Sequence, residues 1–253
     1  MAPALKRWPK AGLFAAALVV ATGTARLGVW QLDRAAQKVQ LQQAMQTQSA
    51  LPPLTAEALP RTRADGAAPP HRRALLQGQW LTERSIYLDN RPMNGRTGFY
   101  LVTPLQLADG SAVLVQRGWL PRDAADRAHI TPPPSATGTV TVAGRIAPAL
   151  ARLYEFDAAA SGPIRQNLHI DAYAQEAALR LRPWALVQDD NPNPAPTNPP
   201  DGLLRQWPAP DTGLQKHYGY AFQWFSLSAL TACLYAWFQF IRPRRHAARA
   251  QPP

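Results

Sequence analysis

One histidine of this chain stands where its side chain could hold a metal. His217 precedes a long uncharged stretch, and Tyr220 and Trp224 follow it after three and seven residues. On an α-helix these three side chains share one face, because successive residues advance by about 100°. A neutral imidazole there can ligate a transition metal or a haem iron, and aromatic rings suit a flat apolar ligand. The same spacing also fits an aromatic belt at a membrane surface, in which the histidine ligates nothing.

The stretch that follows this histidine is long enough to cross a bilayer. Residues 219–241 carry no charge and would reach about 34 Å as a helix, against a hydrocarbon core of about 30 Å. A second stretch, residues 11–30, contains one charge, Arg26, and can span as well if that side chain reaches the interface. We therefore predict two transmembrane helices, one near each end of the sequence.

Basic residues predict how these helices are oriented. Lysine and arginine are frequent in residues 1–10 and 242–253, and such residues stay on the cytoplasmic side of a membrane. The prediction is a multi-pass protein of the cell inner membrane, with both termini cytoplasmic and residues 31–216 forming a periplasmic, extracytoplasmic domain. A cleavable signal peptide is the rival interpretation of the first stretch, given its basic start and the small residues Gly23 and Ala25.

The region between the helices has the pattern of a β-rich domain. After a juxtamembrane helix extending to about Gln48, short runs rich in aromatic and β-branched residues alternate with turn-forming residues. The predicted strands are residues 72–81, 84–90, 98–105, 112–120, 138–148, 164–170 and 184–189. A short helix with Asp171 as N-cap is expected between the last two, and an exposed proline-rich loop over 189–202. The fold class is then membrane-anchored α+β, with an antiparallel, barrel-like sheet.

Residue usage argues against several classes of function. The sequence has no GxSxG elbow, no HExxH pair and no phosphate-binding glycine loop, and we predict that the protein is not an enzyme. Its net charge of +11 comes from arginines scattered along the chain, whereas a nucleic-acid-binding protein usually has a clustered basic face. The single cysteine, Cys233, excludes an intrachain disulfide and a CxxCH haem-attachment site.

Arg117 is the most informative charged residue of the outer domain. It interrupts an apolar predicted strand, so a guanidinium that points inward must find a partner. The sequence favours a structural carboxylate as that partner, and a carboxylate carried by a ligand is the alternative.

Blocks of sequence carry a resemblance to a known family. They are LGVWQLDRAAQK at residues 27–38, LDNRPMNGRTGFYLVTPL at 88–105, VLVQRGWLP at 113–121, IRQNLHID at 164–171 and HYGYAFQWFSLSAL at 217–230. In this order, between two terminal membrane helices, the blocks resemble the Surfeit locus protein one family, assembly factors for haem-copper cytochrome c oxidase. The resemblance implies a chaperone-like role in the biogenesis of respiratory complex IV, on the oxidase subunit that holds haem.

The resemblance also implies a cofactor and partners. Some bacterial members of the family are thought to bind haem a, and the implicated histidine corresponds to His217. Haem a would bind transiently, with His217 as its metal ligand, Tyr220 and Trp224 as walls and Arg117 as a propionate partner. The implied partners are cytochrome c oxidase subunit I, haem a synthase and the lipid bilayer. Lys216 departs from the asparagine frequent at that position, which removes or changes a hydrogen bond near the histidine.

Two other functions stay open at this stage. A cofactor-free membrane scaffold that binds oxidase subunits would need the same helices and strands but no histidine ligand. An extracytoplasmic enzyme anchored at both ends is the third alternative, and it would require an acid and a base in one cleft.

Overall fold

The computed structural model describes residues 10–123, 130–150, 153, 162–190, 201–207 and 213–242. The chain divides into two compact units, a helix unit of Met1–Gln43 with Asp211–Pro253, and a β domain of Ala44–Pro210. The helices are α1 (Lys10–Ala50), α2 (Ile170–Glu176) and α3 (Leu214–Ala236), and α3 continues into a π-helical segment, Trp237–Ile241. The strands are β1 (Arg73–Trp80), β2 (Ile86–Met93), β3 (Arg96–Leu107), β4 (Ala112–Pro121), β5 (Thr139–Ala147), β6 (Ile164–Arg165) and β7 (Leu181–Gln188).

The helix unit is an antiparallel pair formed by α1 and α3. The hydroxyl of Ser228 donates to the carbonyl of Ala21 at 2.8 Å. The rings of Phe14 and Tyr235 lie 5.6 Å apart between centroids. Residues later in α3 therefore contact residues earlier in α1, as antiparallel helices require.

Small and polar residues line the seam between the two helices. On α1 a series of buried or half-buried residues recurs at alternating steps of three and four, namely Ala21, Thr24, Gly28 and Gln31, and Ala25 and Ala35 are also buried or half-buried. On α3 the same spacing gives His217, Ala221, Trp224 and Ser228. This alternation averages 3.5 residues, the period of two helices packed along one seam. Small residues on the seam let the two backbones approach closely.

Both helices present apolar side chains outward. The segments Ala11–Ala50 and Leu214–Ile241 are long and apolar enough to cross a membrane. Val19 is 70% exposed and Phe222 is 74% exposed, although both are strongly apolar. A pair of helices with polar groups inside and apolar groups outside is suited to a lipid environment.

The β domain is built on a closed ring of five strands. β1 pairs with β5, β5 with β7, β7 with β4, β4 with β3, and β3 pairs back with β1. β3 is long enough to pair with two strands along the edge opposite β4: its beginning pairs with β2, and its end pairs with β1 through Leu105 opposite Trp80. β2 and β6 continue the sheet beyond the ring. The predicted barrel-like sheet is present.

Both faces of the central strand β4 are buried. Val113 and Val115 belong to one apolar cluster with residues of β1, β5 and β7. Leu114 and Trp119 belong to a second cluster, which includes Tyr173 of α2. Since successive side chains of a strand point to opposite faces, burial on both faces explains why this segment is a continuous apolar run.

The structure differs from the sequence-based expectation in strand direction. The sheet is predominantly antiparallel, as predicted, but β4 runs parallel to β7 and β2 parallel to β6. Long connections separate the members of each parallel pair, and such pairings leave no local sequence signal. The predicted strand 164–170 shrinks to Ile164–Arg165, since the chain enters α2 at Ile170.

Two turn assignments also change. The N-cap of α2 is His169, not Asp171. Asp171 instead lies in the first turn, and its carboxylate pairs with Arg63 at 2.5 Å. Between β2 and β3 the connection is only Asn94 and Gly95, both at positive φ, which is the geometry of a tight hairpin. Most of the predicted 189–202 loop, together with residues 1–9 and 243–253 of the predicted cytoplasmic ends, lies outside the described residues.

Candidate functional site

His217 faces α1 from the first turn of α3. Its Nδ1 lies 2.7 Å from Oε1 of Gln31. Gln31 is only 9% exposed, and the histidine is half-buried. An amide oxygen can only accept, so the Nδ1 carries the proton and donates it. In the neutral imidazole, Nε2 of His217 then keeps its lone pair, which is the form in which an imidazole ligates a metal.

The two predicted aromatic partners occupy different positions. Trp224 is half-buried and shares the seam with His217. Tyr220 lies outside the seam and is 51% exposed. Of the three side chains predicted to share one face, His217 and Trp224 therefore lie on the seam, whereas Tyr220 is exposed.

Sequence reasoning missed Gln31, the partner of the histidine. The neighbouring residue Lys216 is exposed, and the hydrogen bond that position 216 was expected to influence comes from α1 instead. The available signal was the spacing of Thr24, Gly28 and Gln31, which places a glutamine on the same seam as small residues.

The site offers one imidazole as a candidate metal ligand. A single imidazole from the protein would be enough to hold the iron of a bound haem. His217 offers one such imidazole, held through Nδ1 by Gln31. In the part of the chain that the structure describes, no three His, Cys, Asp or Glu residues cluster as a metal site would require.

Arg117 lies in the β domain, on β4. Its side chain is 4% exposed, and its Nη1 donates to the hydroxyl of Ser135 at 2.6 Å. Its Nη2 is 3.5 Å from Oδ2 of Asp201, so Asp201 is the structural carboxylate that the sequence favoured. The guanidinium also lies over the ring of Trp80, 4.6 Å from its centroid. Burial lowers the pKa of Arg117, and the nearby Asp201 opposes that shift.

Arg182, another buried arginine of this domain, has a purely structural environment. It is 1% exposed and donates to Oδ2 of Asp109 at 3.0 Å, to the hydroxyl of Ser111 and to the carbonyls of Ala56 and Leu59. These bonds fasten the segment that precedes β1 onto the barrel. Hydrogen bonds from Ser111, and then the charge of Arg182, lower the pKa of Asp109 to about 2.

Arg117 and His217 belong to different units, and each is described as a candidate site within its own unit. One is a seam histidine on a pair of apolar helices. The other is a buried arginine in a barrel. Together with the fold, these features describe a helix-bearing β-barrel protein with a candidate ligand site in each unit.

The chain belongs to the SURF1 family, whose sequence pattern it matches over residues 18–229. A SURF1-like protein of Monosiga brevicollis is 26% identical over 265 residues, which cover 96% of this chain and 93% of that protein. One of Drosophila melanogaster is 28% identical over 246 residues, 90% of this chain and 77% of the relative. The cytochrome oxidase assembly protein SHY1 of Saccharomyces cerevisiae is 31% identical over 97 residues, 37% of this chain and 24% of SHY1. The resemblance drawn from the sequence blocks is confirmed.

Proposed function

We propose that this protein is a membrane-anchored assembly factor for cytochrome c oxidase that assists haem a delivery to, or retention in, subunit I. Membership of the SURF1 family supports the assembly role, since the relative SHY1 is named for cytochrome oxidase assembly. The haem a role is supported by one observation above all: Gln31 holds the Nδ1 of His217 and leaves Nε2 available.

The chain's own residues would act mainly by positioning. Gln31 fixes the tautomer and ring orientation of His217, which removes the need to reorganise the imidazole on binding. Trp224 supplies an apolar surface on the same seam. His217 would hold the iron of a bound haem through the Nε2 lone pair. Holding haem in this way requires no bond chemistry by the protein, in keeping with a carrier and not an enzyme.

The membrane arrangement is part of the same proposal. We place α1 and the segment Leu214–Ile241 across the inner membrane, with the β domain on the periplasmic side. The exposed apolar side chains of both helices support insertion, and the basic residues in 1–10 and 242–253 support cytoplasmic termini. His217 would then lie where α3 enters the bilayer from the outer surface.

The direct test is the visible spectrum of the full-length protein purified from cells that make haem a. The wild type should carry a haem a spectrum, and His217→Ala should lose or shift it. Lys216→Ala is the matched control, because this neighbour of His217 is exposed, and its spectrum should equal that of the wild type. A haem-loaded His217→Ala with an unchanged spectrum would remove the ligand assignment. A colourless wild type that still co-purifies with subunit I would make the protein a cofactor-free scaffold.

A further inference from the structure

The side of α1 that points away from α3 carries a cation within the apolar segment. Arg26 is two residues from both Thr24 and Gly28, so it lies about 200° around the helix from these seam positions. Arg26 is exposed, and in the part of the chain that the structure describes it makes no hydrogen bond or ion pair. A charged side chain in an apolar spanning segment is costly, and such residues usually have both a partner and a function. A partner for Arg26 has to come from outside the helix pair.

Trp30 and Arg34 continue this side of α1 beyond Arg26. The three residues follow one another at steps of four, and all are exposed, so they lie on successive turns of one side of the helix. The guanidinium of Arg34 lies 5.6 Å from the centroid of the Trp30 ring. Its Nη1 donates to Oε1 of Gln37 at 3.1 Å. Two arginines therefore flank one exposed aromatic ring.

Little negative charge offsets these arginines. Asp33 is the only acidic residue of α1, and α3 has none. Asp33 is exposed, and among the described residues it forms no ion pair with either arginine. The excess of positive charge on this side of α1 attracts an anion.

The depth of Arg26 decides which kind of anion can reach it. Gln31 contacts His217, which in the proposed membrane arrangement lies where α3 enters the bilayer from the outer surface. Arg26 is five residues earlier and so about 7.5 Å deeper, at 1.5 Å per residue. From there a long arginine side chain can extend to the interface. The phosphate of a lipid already lies at that boundary, whereas the carboxylates of a water-soluble protein do not.

An apolar path continues below the arginine on the same side of the helix. Gly23 and Val19 precede Arg26 by three and seven residues, the spacing of one helical face. A Cβ atom at Gly23 would meet nothing within 4 Å, and Val19 is 70% exposed. The missing side chain at Gly23 leaves a shallow depression between Arg26 and Val19, in which an acyl chain can lie.

We propose that this side of α1, formed by Val19, Gly23, Arg26, Trp30 and Arg34, binds an anionic phospholipid. Arg26 donates charge-assisted hydrogen bonds to the headgroup phosphate, and Arg34 adds attraction from the aqueous side. Trp30 lies at the level of the interface, where tryptophan is favoured, and an acyl chain follows Gly23 and Val19. The inference rests on the proposed insertion of α1 in the membrane and adds to it a preference among lipids.

Native mass spectrometry of the full-length protein measures this preference. The protein is assembled in nanodiscs that contain equal amounts of phosphatidylglycerol and phosphatidylcholine, and the lipids that stay bound on its release are counted. The wild type should retain more phosphatidylglycerol than phosphatidylcholine, and added salt in the nanodisc buffer should reduce the excess. Equal retention of the two lipids would overturn the site.

Variants assign the preference to α1. Arg26→Gln should lower the ratio of retained phosphatidylglycerol to phosphatidylcholine about fivefold, the usual effect of one arginine near an anionic membrane surface. Arg26→Lys should keep most of the preference, because an ammonium group also binds phosphate. Arg242→Gln is the matched control, since this exposed arginine follows the other end of the helix pair, and it should change the ratio much less. An equal loss in Arg26→Gln and Arg242→Gln would contradict a site at Arg26.

Asp33→Asn tests the same site by a gain, which misfolding cannot produce. It removes the one carboxylate of α1 and should raise the ratio of phosphatidylglycerol to phosphatidylcholine. A ratio that Asp33→Asn leaves unchanged would contradict the placement of the headgroup beside Arg26 and Arg34.

Two further results separate this inference from its alternatives. Glycerophosphoglycerol, the same headgroup without acyl chains, should not displace the retained phosphatidylglycerol, and displacement at equal concentration would contradict the acyl path. His217→Ala should leave the lipid ratio intact, which separates the site from the haem proposal. A protein that fails to enter nanodiscs would overturn the membrane arrangement and this site together, whereas a protein that inserts but retains both lipids equally would overturn this site alone.

Discussion

The side chains of Gln31 and His217 meet at 2.7 Å although 186 residues separate them in the sequence. Gln31 belongs to the sequence block at residues 27–38, and His217 opens the block at 217–230. The contact therefore joins the two blocks that flank the β domain in the sequence. It gives the first block a chemical role, which is to set the protonated nitrogen of the histidine.

Replacing the glutamine tests this role. Gln31→Met keeps a similar side-chain size but removes the acceptor, and it should lower the affinity for added haem about tenfold or more, as loss of a hydrogen bond to a ligating histidine does. Gln31→Glu keeps an acceptor and should retain binding. Gln40→Met, an exposed change on the same helix, is the control in the same absorbance titration. A Gln31→Met protein that binds haem like the wild type would show that the hydrogen bond is incidental.

The close approach of the two helices depends on Gly28. A Cβ atom at this position would lie 2.8 Å from the ring of Phe225. Gly28→Ala should therefore be less stable than Gly23→Ala by about 1–3 kcal/mol, the usual effect of forcing extra volume into a packed contact. Thermal unfolding in detergent micelles measures this, with Phe225→Leu expected to relieve the clash.

Gly23 is the matched control for that experiment, because a Cβ there meets nothing within 4 Å. Gly23→Ala should be neutral or slightly stabilising, since alanine favours helix over glycine by about 1 kcal/mol. Equal destabilisation by both substitutions would show that Gly28 is not a packing position.

Local patterns in the sequence located the strands of the β domain well. The four predicted strands between residues 72 and 120 correspond to β1 to β4. The turn-forming pair Asn94–Gly95 connects β2 to β3. Pairing was harder to predict, because the ring closes through β1 with β3 and through β4 with β7. Both contacts join segments that are distant in sequence, and periodicity reports only which face of a strand is buried.

At the candidate site, too, local features could be predicted from the sequence, whereas contacts between distant segments could not. The long apolar stretch after His217 located the helix and the imidazole, and the helical period placed Trp224 near it. The exposure of Tyr220 and the partnership with Gln31 depend on which side of α3 meets α1. That choice is made by packing between two helices at opposite ends of the sequence.

Asp109 should make the β domain sensitive to acid. Its pKa is lowered to about 2 from an ordinary 3.8, so its contribution to stability is complete above the unfolded-state pKa and is lost as the pH falls toward 2. At pH 6 we expect Asp109→Asn to be less stable than the wild type by about 1–2 kcal/mol, and the difference should shrink between pH 4 and pH 2.

Chemical unfolding followed at several pH values measures this difference. Asp171→Asn is the control, because its ion pair with Arg63 is mostly exposed and should contribute little at any pH. A difference between wild type and Asp109→Asn that stays constant down to pH 2 would contradict the assigned ionisation.

The proposed orientation can be tested with single cysteines. After Cys233→Ala, the substitution Arg96→Cys places a thiol on the exposed β2–β3 hairpin. A membrane-impermeant maleimide should label it in intact spheroplasts, because the β domain is proposed to be periplasmic. Arg249→Cys, in the basic C-terminal segment, should react only after lysis. Labelling of both thiols, or of the second alone, in intact spheroplasts would contradict the proposed topology.

Rescue of a missing imidazole tests the central claim most directly, namely that His217 itself supplies the axial nitrogen. His217→Gly removes the side chain and should lose the haem a absorbance of the wild type. Adding free imidazole to the purified His217→Gly protein with haem a should restore a wild-type-like spectrum. Neither a detergent blank nor His217→Gly without imidazole should show this spectrum. A His217→Gly protein whose spectrum already equals that of the wild type, before any imidazole is added, would contradict the account.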